Sequence, residues 1–122
     1  METYESLEKK IGGKRRYKKI APNTVAHRVS AGVSILFHAT PIVHFWGDGR
    51  VVVSAGGYKT RTTKERINRY CSDRYSIMQR KHKWYWVKNR DHKIVAEFTN
   101  QDYFDSIGEL IAQVPITERN DQ

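Results

Sequence analysis

One cysteine (Cys71), three prolines and the absence of any apolar run near the roughly 20 residues that span a bilayer set the first limits on this 122-residue chain. A lone cysteine leaves no internal disulfide framework and suits a reducing compartment; on a helix it reads as a small apolar side chain. The first residues, METYESLEKKIGGKRRYKK, contain acids, no apolar core segment and no small-residue cleavage site, so they do not read as a secretory signal. Acids are scarce where bases are dense. Residues 9–93 hold 21 of the 22 Lys/Arg and only Asp48, Glu65, Asp73 and Asp91, a net of +17. Glu2, Glu5 and Glu8 precede that body. Glu97, Asp102, Asp105, Glu109, Glu118 and Asp121 follow it against the single Arg119.

The whole chain carries +9, an excess that favours an anionic partner and says nothing of fold. A basic body with an acidic end is a pattern met in proteins that handle single-stranded nucleic acid. Length allows one domain with one modest core. Residues 1–23, with Lys9, Lys10, Lys14, Arg15, Arg16, Lys18 and Lys19 around Gly12-Gly13, are expected to be a flexible basic arm. Residues 24–115 are expected to form the α+β domain, and residues 116–122 a polar tail.

Alternating β-branched and aromatic residues predict strands over 24–29, 33–39, 42–46 and 50–55, with Gly47-Asp48-Gly49 as a hairpin turn and a short strand at 58–61. A helix over 63–72 follows, with Thr62 and Glu65 in capping-box spacing and Ile67, Tyr70 and Cys71 on one stripe. Strands at 74–80, 83–88 and 93–99 come next. A helix is expected over 102–114, with Phe104, Ile107, Leu110 and Ile111 at helical spacing before Pro115. The predicted fold is α+β with antiparallel sheets in the order β-β-β-β-α then β-β-β-α, the helices on one side.

The stretch SAGGYKTRTTKERINRYC (54–71) invites a phosphate-loop reading, which fails. A Walker loop needs glycine directly before Lys-Ser/Thr, whereas Tyr58 separates Gly57 from Lys59, and no third glycine opens a helix. Its surface is nonetheless suited to a phosphate backbone: Lys59, Arg61, Lys64, Arg66 and Arg69 stand beside the hydroxyls of Thr60, Thr62 and Thr63 near a helix start. RKHKWYWVKNR (80–90) interleaves Trp84, Tyr85 and Trp86 with Arg80, Lys81, Lys83, Lys88 and Arg90. Strand alternation puts Trp84 and Trp86 on one face and Tyr85 on the other. Either the tryptophans are open for base stacking or they are core. Tyr17, Trp46, Tyr58 and Tyr75 are further aromatic candidates, each favoured as packing. His27, His38 and His44 lie on successive predicted strands near Asp48, but without a recognised ligand spacing a metal site has little support. No cofactor is expected.

The segment FHATPIVHFWGDGRVVVSAGGYKTRTTKERIN (37–68) resembles a small family of bacteriophage and prophage proteins. The resemblance rests on His38, Thr40, Ile42 and Val43 in one strand, the Asp48-Gly49 turn and Gly56-Gly57-Tyr58-x-Thr60. It continues through Thr62-Thr63-Lys64-x-Arg66-Ile67-Asn68 and the later Trp84-Tyr85. Tyr58 stands where that family often has tryptophan. The likeness implies a viral setting in a bacterial cytoplasm and brings no activity with it. The order of elements is also similar to the Whirly and coactivator-type single-stranded-DNA-binding folds.

These readings converge on a small basic nucleic-acid-binding protein of phage origin. It is expected to take single-stranded DNA with low sequence specificity, and membrane is not expected as a partner. The expected contact set is Lys14, Arg15, Arg16, Lys18, Lys19, Lys59, Arg61, Lys64, Arg66, Arg69, Lys81, Lys83, Trp84, Tyr85, Trp86 and Lys88. Two alternatives stay open: a phage accessory protein that binds a host protein, a defence or polymerase component, and a metal-dependent nicking nuclease using His38, His44 or Asp48. Binding is favoured over catalysis, and an open sheet edge is compatible with a homodimer.

Overall fold

The computed structural model describes residues 2–111. The chain opens with helix α1 (Tyr4–Ile11), where a flexible arm was expected. Thr3 and Ser6 form a reciprocal capping box: the Thr3 hydroxyl accepts from the Ser6 N–H at 3.1 Å, and the Ser6 hydroxyl accepts from the Thr3 N–H at 2.8 Å. Leu7 and Ile11, one helical turn apart, are both buried and tie the helix to the core. Arg28 binds the Glu8 carboxylate at 2.9 Å and also the Arg15 carbonyl, fixing the segment that follows. Residues 1–23 therefore contain α1 and strand β1 (Tyr17–Ala21), and the basic side chains there ride on ordered backbone.

Four strands follow: β2 (Thr24–Val29), β3 (Gly32–Phe37), β4 (Thr40–Trp46) and β5 (Val51–Val53). Helix α2 (Arg61–Tyr70) comes next, then β6 (Tyr75–Arg80), β7 (Lys83–Lys88), β8 (Ile94–Glu97), β9 (Asp102–Phe104) and β10 (Leu110–Ile111). The seven strands β1-β2-β3-β4-β5-β9-β10 form one antiparallel sheet in that order, and β6-β7-β8 form a second. The protein is thus α+β, mostly antiparallel sheet with two helices. Its order, α1 then five strands, α2 then five strands, differs from the expected one, and residues 58–61 form no strand.

The expected helix at 102–114 is instead a hairpin within the described residues. The Asp105 carboxylate accepts from the N–H groups of Ile107 and Glu109 at 3.1 and 2.9 Å, and Gly108 takes φ 90°, so the chain reverses. Phe104 and Leu110 then face each other across two strands, a contact that helical spacing imitates. Residues 112–114 of that segment and the 116–122 tail lie outside the described residues.

Alternation divides the large sheet into two faces. Ala26, Val33, Ile35, Val43, Phe45, Val53 and Phe104 point inward and share one core with Leu7 and Ile11 of α1, Ile67 and Tyr70 of α2, and Ile77, Trp84 and Trp86 of the small sheet. Trp84 and Trp86 are 3% and 0% exposed. Trp86 meets Phe104 edge-on at 5.2 Å and Phe98 at 5.9 Å, so it joins the two sheets. The stacking role expected for Trp84 and Trp86 is thereby corrected: both are core, and only Tyr85 of the three reaches the surface. The indole N–H of Trp86 has no hydrogen-bond partner among the described residues. On the opposite, outer face the registers align Tyr17, His27, Ser34, His44, Val52, Tyr103 and Ile111 in one row across all seven strands.

Helix α2 closes the free edge of β6. Asn68 Nδ2 donates to the Ile77 carbonyl at 2.9 Å, and Asn68 Oδ1 accepts from the Ile77 N–H at 2.6 Å, as a neighbouring strand would. Replacing Asn68 with alanine leaves both backbone groups unpaired in a part-buried setting. The expected loss is about 2 kcal/mol of unfolding free energy, read as a lower urea midpoint.

Candidate functional site

Four residues (71–74) connect α2 to β6, and Asn68 meets Ile77 two residues to either side of that link's flanking elements, so helix and strand run antiparallel. From this contact, seven residues back along α2 and three onward along β6 each cover about 10 Å. Arg61 and Lys64 therefore lie at the same end of the molecule as Arg80, Lys81, His82 and Lys83. Lys59 joins them: its Nζ sits 5.8 Å over the ring of Phe98, whose N–H donates to the carbonyl of Trp84. Arg66 lies 5.0 Å over Phe37 at the end of β3.

The β3–β4 turn completes this end. A cavity of about 390 Å³ is bounded by Phe37, His38 and Thr40 on one side and by Tyr58, Thr60, Thr62 and Thr63 on the other. Gly56 lets these parts meet: at φ 61°, a Cβ there would lie 2.5 Å from Thr40 Cγ2. Tyr58 N–H closes the Gly56-Gly57 turn onto the Ala55 carbonyl at 2.9 Å. The glycines thus serve a turn, as the failed phosphate-loop pattern implied. Thr60, not Thr62, caps α2: its hydroxyl accepts from the Thr63 N–H at 3.2 Å and donates to Thr63 Oγ1 at 2.9 Å. Glu65 takes no part in the cap and lies 3.8 Å from Arg61.

Backbone strain concentrates here. The β3–β4 turn holds His38 and Ala39 at φ 51° and 67°, and the β6–β7 turn holds Lys81 and His82 at 51° and 69°. Two-residue hairpins of this hand favour Asn-Gly, because a β-carbon is disfavoured at positive φ. In the second hairpin, Arg80 and Lys83 are directly opposed across the strands, a like-charge pairing that destabilises an isolated sheet. Arg80 was absent from the expected contact set. Its cross-strand partner is fixed by the two-residue Lys81-His82 turn, and that register was the signal available in the sequence.

The other expected residues scatter. Lys88 lies at the far end of β7, opposite Tyr75. Arg69 stacks over Tyr70 at 5.5 Å near the end of α2. Lys14, Arg15, Arg16, Lys18 and Lys19 are exposed along the β1 edge, a second basic patch. Near the C-terminal end of α2 a cleft of about 520 Å³ is lined by Glu2, Glu5, Asp48, Asp73 and Asp105. Arg74 lines it as well, Arg50 pairs with Asp48 at 2.8 Å, and Arg69 and Lys88 lie at this end, so acids and bases are mixed there.

The histidines do not converge, and among the described residues no three His, Cys, Asp or Glu side chains are placed to hold a metal. Asp48 is engaged by Arg50: the Arg50 N–H at 3.1 Å, together with the guanidinium at 2.8 Å, holds its carboxyl below the usual range. His44 shares a 2.7 Å hydrogen bond between Nδ1 and Ser34 Oγ and stands edge-on to Trp46 at 4.7 Å. Burial pushes its imidazole below the ordinary value of 6.5. Cys71 is enclosed, and burial pushes its thiol up to about 12, so its sulfur is a packing atom.

The chain matches the family described as Kyanoviridae Gp96 protein over residues 4–108, and it belongs to that family of bacteriophage proteins. No curated protein and no solved structure matches it. No helix among the described residues is long and apolar enough to cross a membrane.

Two outcomes follow from the buried groups. Because His44 titrates lower in the folded chain than in the unfolded one, its contribution to stability is whole above 6.5 and is lost as pH falls through the folded value. Urea midpoints should drop between about pH 7 and about pH 5, and His44→Gln should flatten that drop. Native Cys71 should be inert to an aromatic disulfide reagent and react at the rate of unfolding as urea is added.

Proposed function

We propose that this member of the Kyanoviridae Gp96 family binds the phosphate backbone of nucleic acid at the basic end of α2, with single-stranded DNA as the favoured ligand. The carrying observation is the opposed Arg80–Lys83 pair, set on a strained turn beside Lys59, Arg61, Lys64 and Lys81. Charges so arranged repel one another in the free protein, and a polyanion relieves that repulsion while releasing its own counterions. Among the described residues, the nearest carboxylate on α2 is Glu65, which sits beside Arg61 and is well exposed.

In the alternative of a host-protein partner, Trp84 and Trp86 cannot be the hot spot, because both are buried. The test is a titration with a labelled single strand across a range of salt. Affinity should fall steeply with salt. The triple substitution Lys59→Ala, Arg61→Ala, Lys64→Ala should reduce the slope of log K against log salt by about 2, from about 0.7 per lost phosphate contact. No binding by the unaltered protein at low salt would overturn the reading.

A further inference from the structure

We infer that the outer face of the seven-stranded sheet is the platform on which the bases of that single strand stack, a reading that rests on the nucleic-acid proposal above. The inner face is covered by the core that the helices and the small sheet share, while the two ends of the outer row stay open, Tyr17 at one side and Tyr103 and Ile111 at the other. That face is aromatic. Tyr17 and Tyr103 are 58% and 37% exposed and occupy the same cross-strand row as His27 and His44. Trp46, one pleat along from His44 on β4, is half-buried and is the only tryptophan outside the core. Adjacent strands stand about 4.8 Å apart, so the row from Tyr17 to Tyr103 extends about 24 Å. Flat rings spread over an open sheet suit successive unstacked bases.

Charge selects the occupant. No outward position paired in this sheet is Asp or Glu, as the registers show. Lys19 projects from β1 on the same face as Val25; on the other flank Arg50 lies 5.0 Å over Trp46 while paired with Asp48 of the adjoining turn. Beyond Lys19, the exposed Lys14, Arg15, Arg16 and Lys18 border the β1 edge. A second copy docking here would bring identical positive borders together on a chain of net charge +9, which opposes self-association. A single strand instead supplies π-faces to the rings and phosphates to the border. His38 N–H bonds the Asn23 carbonyl at 2.9 Å, so the β1–β2 and β3–β4 turns meet at the end of the sheet where the basic end begins. The two surfaces are therefore continuous around that rim.

The test titrates oligothymidine of about 20 nucleotides while following tryptophan emission. Trp84 and Trp86 being buried, quenching should come from Trp46 and vanish in Trp46→Phe. Tyr17→Ala and Tyr103→Ala, both at exposed positions, should each weaken binding at least about fivefold, the lower bound for one lost stack, and leave the salt slope unchanged. The basic-end triple variant should do the reverse: a smaller slope with quenching retained at saturation. Salt-sensitive binding with no quenching and unaltered affinity in both tyrosine variants would overturn this inference and leave the basic-end proposal standing. Absence of any binding would remove both. A concentration-dependent dimer that dissociates in the tyrosine variants, with DNA affinity unaltered, would show the face covered by a second copy and overturn it as well.

Discussion

The contact of Trp86 with Phe104 and Phe98 is the junction on which this molecule depends. A three-stranded sheet with a single helix at its edge has too little apolar area to stand alone. Trp86, fully enclosed, presses it against the last long-range strand of the seven-stranded sheet. That strand, β9, is reached only after the chain has left the large sheet at β5 and built α2 and the entire small sheet. The junction thus closes the longest excursion of the chain. It also determines where function can lie, because a tryptophan committed to this packing is withdrawn from any ligand.

The second constraint is the pairing of Asn68 with Ile77. It satisfies one backbone unit of the β6 edge and in doing so holds α2 alongside β6. Once the two run antiparallel, the cations at the start of the helix and those of the β6–β7 turn have no freedom to separate. The basic end is then a consequence of packing applied to a charge-segregated sequence. The same geometry places Ser72, Asp73 and Arg74 at the other end, beside Glu2, Glu5 and Asp48 in the cleft there. A side-chain amide performing the work of a strand edge therefore also gathers the cations of the basic end.

Much of the first sheet was legible because β2 to β5 are connected by short turns and alternate apolar residues with period two, so neighbours in sequence are neighbours in space. The hidden parts have particular causes. α1 lies within a lysine-rich segment, where charge density masked the Leu7–Ile11 pair and the Thr3–Ser6 cap. The β9–β10 hairpin was concealed because Phe104, Ile107, Leu110 and Ile111 satisfy helical spacing; the Asp105 turn with Gly108 was the contrary signal. The parity of Trp84 and Trp86 was read correctly as one shared face. Which way that face turned is a tertiary fact, decided by Phe98 and Phe104, and no local pattern contains it. The lysines and arginines of α2 were legible as a group, whereas Arg80, noted among the bases of 80–90, stayed outside the contact set because its pairing with Lys83 arises only from the opposing strand.

Burial of the two tryptophans moves the stacking question to a different sheet. The strict alternation of a strand means that a core face built from Ala26, Val33, Ile35, Val43, Phe45 and Val53 must present their neighbours on the other side. Those neighbours are Tyr17, His27, His44, Trp46 and Tyr103, not the charged residues that an antiparallel sheet with one solvated face ordinarily shows. Solubility alone would have been served by lysine and glutamate at these positions, as it is served elsewhere on this strongly charged chain. Glutamate is absent from the paired outward positions, although it occurs on both helices and in β8. A face whose paired positions carry rings and no carboxylate, with Lys14 to Lys19 along its β1 edge, imposes a solvation cost in the free protein, and a ligand combining flat rings with a polyanionic backbone offsets both parts of that cost at once.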